Sequence, residues 1–465
     1  MKRKWLALAL VIVMAVALLA ACNDDTKAPA TSTNQGSSST TSDSGSSAPA
    51  ASNDTSSSSN TDSSAPPPPP AANVDSNKNS IVIGGSRPIT GHFALFEETG
   101  FGPVFRMWVS EVNAAGGIYV EEYGKKLPIE VLLYDDGSDT ATMLSNLDKL
   151  ILDGVADILI PPCSTADLFA AVPRVCGGYG RLLIGAEGGA QALRDYVPDN
   201  PTFFGPINNS ETQIPAMVEV LKELGCETAY ICYVEDLYGV EYAGAAVPAL
   251  NAANIEILAN RGVAMDVSDM TAIITDAMHS GADAFLLLAY PDQIIPAIGT
   301  SIGMGYNPKA YVTGPGGNFE FMAHIFPMEG VMGFGAWNAK SSPAAADYLS
   351  RFLAYVAANE PNDPETGAPL AGVDWWGHLP YYMSLQVLQQ AIERAGTLDD
   401  AAIAHEIDVG KFQTVMGEVW FDNNILADEC FVGNVGQWQD GIFEVVDVVR
   451  ANRTADPIVK PAWPG

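Results

Sequence analysis

The chain has 465 residues, with 55 Asp and Glu against 23 Lys and Arg, a formal net charge of -32, and 48% hydrophobic residues. So negative a molecule repels phosphate backbones, whose affinity for proteins comes largely from Lys and Arg, and nucleic acid is not expected as a partner. Composition is uneven along the chain, and three segments of different physical character follow one another.

Residues 1 to 21 carry Lys2, Arg3 and Lys4, then an uncharged run from Trp5 to Ala21 that ends in small residues, which is the pattern of a secretory signal. The alternative is a retained membrane helix, for which this run is near the short limit of a bilayer span. Leu19-Ala20-Ala21-Cys22 resembles the bacterial lipobox, which implies cleavage before Cys22 and acylation of its thiol and amine. Several acyl chains give stable attachment where one gives only marginal binding. From Asn23 to about Ser80 the chain is dominated by Ser, Thr, Ala, Asp and Pro, with Pro66 to Pro70 consecutive and no aromatic residue. Such a segment cannot bury enough apolar surface to offset its ordering entropy, so residues 22–80 read as a lipidated Cys followed by a disordered tether.

Strand and helix patterns alternate from residue 81 onward. Ile81-Val82-Ile83 reads as a strand ending in Gly84-Gly85, Phe101 to Asn113 as a helix stopped at Gly116-Gly117, and Ile129 to Tyr134 as the next strand. Then come a helix over 142–153, strand 158–160, helix 166–175 and strand 182–184. The series continues with helix 214–224, strand 229–234, helix 242–253, strand 255–258, helix 270–279 and strand 284–288. Short strands apolar on both faces, separated by helices, indicate a doubly wound α/β fold of parallel sheets covered on both sides. The length suits two lobes better than one core. In such sheets ligands bind beyond the carboxyl ends of the strands. The candidate cleft is therefore formed by 86–96, 163–165, 187–189, 235–238, 290–292 and 314–317.

Signatures of chemistry are absent from the sequence. No Gly-rich phosphate loop follows the first strand, and there is no His-Glu-x-x-His, Cys-x-x-Cys or Gly-x-Ser-x-Gly. The five His residues are widely separated. No catalytic residue, metal or cofactor is expected. With Cys22 acylated, Cys163, Cys176, Cys226, Cys232 and Cys430 remain, so at least one is unpaired within a monomer. A helix of about twelve residues between Cys163 and Cys176 would hold them roughly 18 Å apart, too far to bridge.

Several short motifs, in register, carry a family likeness. They are Gly84 to Phe96, Asn113-Ala114-Ala115-Gly116-Gly117-Ile118, Tyr134-Asp135-Asp136, Cys163-Ser164-Thr165, Tyr238-Gly239, Thr313-Gly314-Pro315 and Thr414-Val415-Met416-Gly417. Over about residues 80 to 450 the chain resembles the leucine/isoleucine/valine-binding periplasmic proteins that serve ABC importers. The resemblance implies the type I periplasmic-binding-protein fold, two α/β lobes joined by three crossings that close like a hinge. Lobe 1 is expected over 81–205 plus 338–430, lobe 2 over 206–337 plus 431–450, and a C-terminal tail over 451–465.

The likeness implies that Ser164, between Cys163 and Thr165, holds a ligand carboxylate. Ser164 is equally a plain N-cap, since Ser164-x-x-Asp167 is a capping pair at a helix start, and the two roles are compatible. Tyr238 and Tyr290 stand where rings line the second lobe, and Phe96 where the family tends to place a Tyr. Two departures matter. The acidic residue expected after Gly-Pro, to pair with a ligand ammonium, is replaced by Gly316-Gly317. Glu187 stands, beside Gly188 and Gly189, where the family often has a small residue. Glu187 therefore takes a ligand donor or points to solvent at the rim, and Asp292 is a second candidate acid. Trp337 stacks on ligand or packs at a hinge. The aromatic run Asp374-Trp375-Trp376-Gly377-His378 with Tyr381-Tyr382 reads first as packing and second as ligand contact, or as a surface for a permease.

The expectation is a monomeric, lipid-anchored, extracytoplasmic solute-binding protein that captures an amino acid or a related small polar molecule and delivers it to ABC permease subunits. Its rivals are the same role with an aromatic or short carboxylate, an amide or urea, and a sensory module acting on a partner receptor. An enzyme on the same scaffold is disfavoured because no nucleophile and base set is present.

Overall fold

Residues 77–362, 370–447 and 453–464 are described by the computed structural model. The expected secretory signal, the expected acylation site at Cys22 and the expected tether up to residue 76 lie outside the described residues, as do 363–369 and 448–452.

Strands form at the short aliphatic runs. They are β1 (Ile81–Arg87), β2 (Ile118–Val120), β3 (Lys125–Leu127), β4 (Ile129–Asp135), β5 (Ile158–Leu159), β6 (Leu183–Ile184) and β7 (Phe203–Phe204). Next come β8 (Thr228–Val234), β9 (Glu256–Val263), β10 (Ala284–Leu288), β11 (Ala310–Thr313) and β12 (Val331–Phe334). Two hairpins, β13 (Phe412–Thr414) with β14 (Gly417–Val419) and β15 (Phe421–Asp422) with β16 (Ile425–Leu426), precede β17 (Val435–Gln439) and β18 (Ile442–Val445).

One main sheet runs β4-β1-β5 and the other β18-β17-β12-β11-β10-β8-β9. All pairs of the first sheet, and those from β9 to β12 in the second, are parallel. Every residue of β10, β11 and β12 is buried, as expected of central parallel strands. The parallel sheets carry one antiparallel edge. Strand β17 pairs antiparallel with β12, and β18 pairs antiparallel with β17 through a two-residue hairpin turn at Asp440 (φ 50°) and Gly441 (φ 77°).

Two helices begin earlier than apolar periodicity alone suggested, because polar caps decide their start. Asn209 caps the helix Ser210–Glu223 through the Glu211 N–H, and Asp236 caps Leu237–Ala252 through the Gly239 N–H. On His378–Ala395 the spacing was sufficient: Met383, Val387 and Ile392 are all fully buried. Cys163, Cys176, Cys226, Cys232 and Cys430 are free and buried, so there is no disulfide among the described residues.

In the first sheet β4 and β5 flank β1, and in the second β9 and β10 flank β8, so each sheet has a switch point where strand order reverses. The chain passes between the two sheets three times, after β7, after β12 and before β17. These passages are tied together. Asn208 Nδ2 donates to Gly433 O at 3.1 Å and to Asn434 Oδ1 at 3.0 Å, and Gly335 N donates to Asn434 O at 2.7 Å.

Candidate functional site

The carboxyl ends of strands from both sheets deliver side chains to one cavity of about 50 Å³. Phe93 and Phe96 reach it from the segment after β1, Cys163, Ser164 and Thr165 from the end of β5, and Ala186, Glu187 and Gly189 from the end of β6. From the second sheet come Tyr238 after β8, Tyr290 after β10 and Pro315 after β11. Phe101, Ile207, Asp374, Trp376 and Gly377 complete the lining. So small a space holds a few water-sized groups.

Its walls are aromatic. Tyr290 meets Phe93 and Phe96 edge-on at 5.2 and 6.2 Å and lies 5.3 Å from Tyr238. These contacts bring residues after β1 against residues after β8 and β10. Tyr290 Oη is engaged, donating to Asp236 Oδ2 at 2.8 Å, so its ring faces the cavity as wall. Tyr238 is 2% exposed and its Oη has no hydrogen-bond partner.

Ser164 adopts φ 101°, ψ 153°, a region that is nearly exclusive to Gly and costs about 1–3 kcal/mol elsewhere. Its Oγ accepts from Asp167 N at 3.1 Å and donates to Asp167 Oδ2 at 3.0 Å, while Thr140 Oγ1 donates to Asp167 Oδ1 at 2.7 Å. The hydroxyl proton is thus committed to Asp167. The groups left for an anion are the N–H of Thr165 and Ala166, in the first turn of Thr165–Val172, where a helix supplies no acceptor.

A buried ion triad backs the cavity. Arg87, the last residue of β1 and 1% exposed, donates from Nε to Glu97 Oε2 at 2.8 Å and from Nη1 to Glu187 Oε1 at 3.0 Å and to Pro161 O at 2.5 Å. One guanidinium is shared by two carboxylates. The Glu187 side chain is wholly buried and its Oε2 has no partner. Burial pushes the Glu187 carboxyl up to about 7, against the pull of Arg87 and with the push of Glu97. Asp374, also buried, accepts at Oδ1 from Asn318 Nδ2 at 2.5 Å and from Trp376 N at 2.9 Å. Burial pushes it up to about 6, its amide neighbours opposing, and no Lys or Arg pairs with it among the described residues.

Burial holds the Cys163 thiol well above its ordinary value, so it is no activated nucleophile. It likewise holds His378 neutral, pushed down to about 3. Among the described residues no group of three His, Cys, Asp or Glu side chains is placed to hold a metal.

Of the residues singled out in the sequence, Phe96, Cys163, Ser164, Thr165, Glu187, Gly189, Tyr238 and Tyr290 lie on the cavity. Four do not. Gly188 packs against Leu168 and Leu193, and Asp292 is half exposed and paired to His92 Nδ1 at 3.0 Å. Gly316 (φ 105°) turns beside Pro291, with its N–H on Asn318 Oδ1. Trp337 is buried beside Trp375 at 5.1 Å and donates from Nε1 to Asp374 O, which is packing rather than lining. Sequence reasoning read the run holding Asp374 and Trp376 first as packing and only second as ligand contact, and both residues are on the lining. They arrive ahead of a helix rather than after a strand. It missed Arg87, within the 86–96 stretch, where a basic residue ending a strand suggests solvent.

The sequence pattern described as "Periplasmic binding protein" matches residues 80–441. A Leu/Ile/Val-binding protein homolog 7 of Brucella abortus (strain 2308) is 24% identical over 380 residues, covering 78% of this chain and 90% of its own. The Leu/Ile/Val-binding protein BraC3 of Rhizobium johnstonii is 25% identical over 368 residues, covering 78% of this chain and 92% of its own. The crystal structure of the branched-chain amino acid transporter substrate binding protein LivJ from Streptococcus pneumoniae, in complex with isoleucine, superposes with a TM-score of 0.64 at 18% identity. It covers 82% of this chain and 100% of that one.

Proposed function

This chain belongs to the periplasmic binding protein family, a family of solute-binding proteins rather than enzymes, and on that premise we propose that it captures a small amino-acid-like molecule in the cavity described above. The observation that carries the reading is the pairing of orphaned polar atoms with an apolar wall: Glu187 Oε2 and Tyr238 Oη are buried, unpartnered and on the lining. Buried polar groups are ordinarily satisfied, and a solute supplies what the protein leaves open. In this reading the Thr165 and Ala166 N–H groups beside Ser164 take an acceptor such as a carboxylate. Tyr238, Tyr290 and Phe96 wall the solute, and Glu187 receives a donor.

The lobes proposed are 81–205 with 338–430 and 206–337 with 431–450. Capture works by their closure, driven by the solute's greater affinity for the closed arrangement. The family implies an extracytoplasmic location. Anchoring through lipid on Cys22, action as a monomer, and delivery to ABC permease subunits complete the proposal. The glycines at 316 and 317 favour a second reading, in which an amide or urea replaces the amino acid.

A thermal-shift screen against amino acids, aromatic acids, amides and urea tests the proposal, because a ligand that binds only the native state raises apparent stability. Stabilisation by amino acids is expected, of about 2.7 kcal/mol at a hundredfold excess over Kd. Stabilisation by none of these classes contradicts solute capture.

A further inference from the structure

The segment that follows the lining residue Gly189 enters a 3-10 helix, Gln191–Asp199, that has no cap of its own. Its N-cap is Ala190, whose side chain has no acceptor, and the first N–H groups of a helix find none within it. The acceptor comes from elsewhere in the fold. Gln191 N donates to Glu241 Oε1 at 2.5 Å and Ala192 N to Glu241 Oε2 at 3.1 Å. Glu241 stands on the helix Leu237–Ala252, one turn beyond the lining residue Tyr238.

Ser210, buried at the start of Ser210–Glu223, donates from Oγ to Glu241 Oε1 at 2.5 Å and orients the carboxylate, while its N–H donates to Gly189 O at 3.1 Å. Two wall segments, one bearing Gly189 and the other Tyr238, are thus joined just outside the cavity, and Glu241 itself is not on the lining. Two ion pairs also span the cleft, Arg194 with Glu211 at 2.9 Å and His92 with Asp292 at 3.0 Å. Their side chains are a third to a half exposed, where a pair contributes little. Glu241 is half-buried and holds three donors on one carboxylate.

Resting on the lobes and the closure proposed above, we propose that Glu241 clasps the closed arrangement, as a positioning residue that touches no solute and sets how long one is held. Gln191 and Ala192 belong to the lobe over 81–205, and Glu241 and Ser210 to the lobe over 206–337. Opening returns the carboxylate and both N–H groups to water. Closing replaces that water with two charge-assisted hydrogen bonds, the stronger kind. A contact made only in the closed arrangement raises the closed population, and apparent affinity rises with that population. The clasp therefore acts alike on every solute, whereas Tyr238, Tyr290 and Glu187 discriminate among solutes by contact.

Amide hydrogen exchange and binding kinetics test this on the purified protein, with leucine, phenylalanine, benzoate, acetamide and urea as probes. The Gln191 and Ala192 amides should exchange at least about 10-fold more slowly with a bound probe than without one, and Glu241→Ala should abolish that protection. Glu241→Gln keeps the shape but sets an amide donor against an N–H. It should speed dissociation by about 10-fold for each probe that binds, with the association rate held within about twofold and the melting temperature without probe unchanged. Binding without slower exchange at 191 and 192, or dissociation from Glu241→Gln as slow as from the wild type, would overturn the clasp and leave solute capture standing. Binding by none of the probes, with no stabilisation in the wider screen, would remove both. Exchange is first read on the unmutated chain, so it decides the question even if a variant fails to fold.

Discussion

At the scale of single residues, the site is governed by what burial does to charge. Glu187 has Arg87 against one oxygen and nothing against the other, and the guanidinium it uses is shared with Glu97. Cys163 and Tyr381 are the further titratable groups facing this triad. A carboxyl pushed up to about 7 holds its proton in the folded chain over a range where the unfolded chain, near 4.5, has lost it. The folded state therefore binds more protons between these values, and stability from this group is full below about 4.5 and is lost as pH rises through about 7. Thermal unfolding of the wild type and of Glu187→Gln across this range checks the sign. The wild type should lose stability relative to the variant as pH rises, and parallel curves would contradict the assignment. Ser164 shows the other residue-scale lesson. Its type and position were legible beside a capping Asp167, but its left-handed backbone and the loss of its proton to Asp167 are products of tertiary geometry.

At the scale of elements, strand ends were the most legible feature. Aliphatic runs marked β1, β5, β6, β8 and β10, and the residues following them form most of the cavity. What stayed hidden was the contribution of a segment that ends no strand. Trp376 closes the cavity from between β12 and the helix His378–Ala395, with its Nε1 on Asn208 Oδ1 at 2.8 Å and its ring against Gly335. Through Asn208 and Gly335 it touches two of the three passages between the sheets. Periodicity carries no information about such a contact, because it joins residues far apart in sequence. Gly335 has φ 62°, and a Cβ there would lie 1.9 Å from Trp376 Cδ1. Gly335→Ala should lower stability by about 2–4 kcal/mol, from left-handed strain and overpacking together. Denaturant unfolding measures it, and a loss below about 0.5 kcal/mol would show that the indole moves freely.

At the scale of the whole molecule, two mainly parallel sheets deliver their strand ends to one cavity, and the chain's acidity recurs inside it. The α/β class followed from alternation alone, and the family likeness supplied the two-lobed arrangement. The antiparallel edge at β17 and β18 was missed, although Asp440-Gly441 is the local signal that could have found it. Charge inside the cavity was the least legible property, because a net charge of -32 says nothing about which carboxylates are enclosed. The central claim is that solute is held in this cavity. Its most direct measurement is calorimetric titration of the wild type, Ser164→Ala and Tyr290→Ala with the amino acid that most stabilises the purified protein. Weakening of about 10-fold or more in Tyr290→Ala, and a smaller loss in Ser164→Ala, with both variants still folded, is the predicted result. Unchanged affinity in both variants would place the binding site elsewhere.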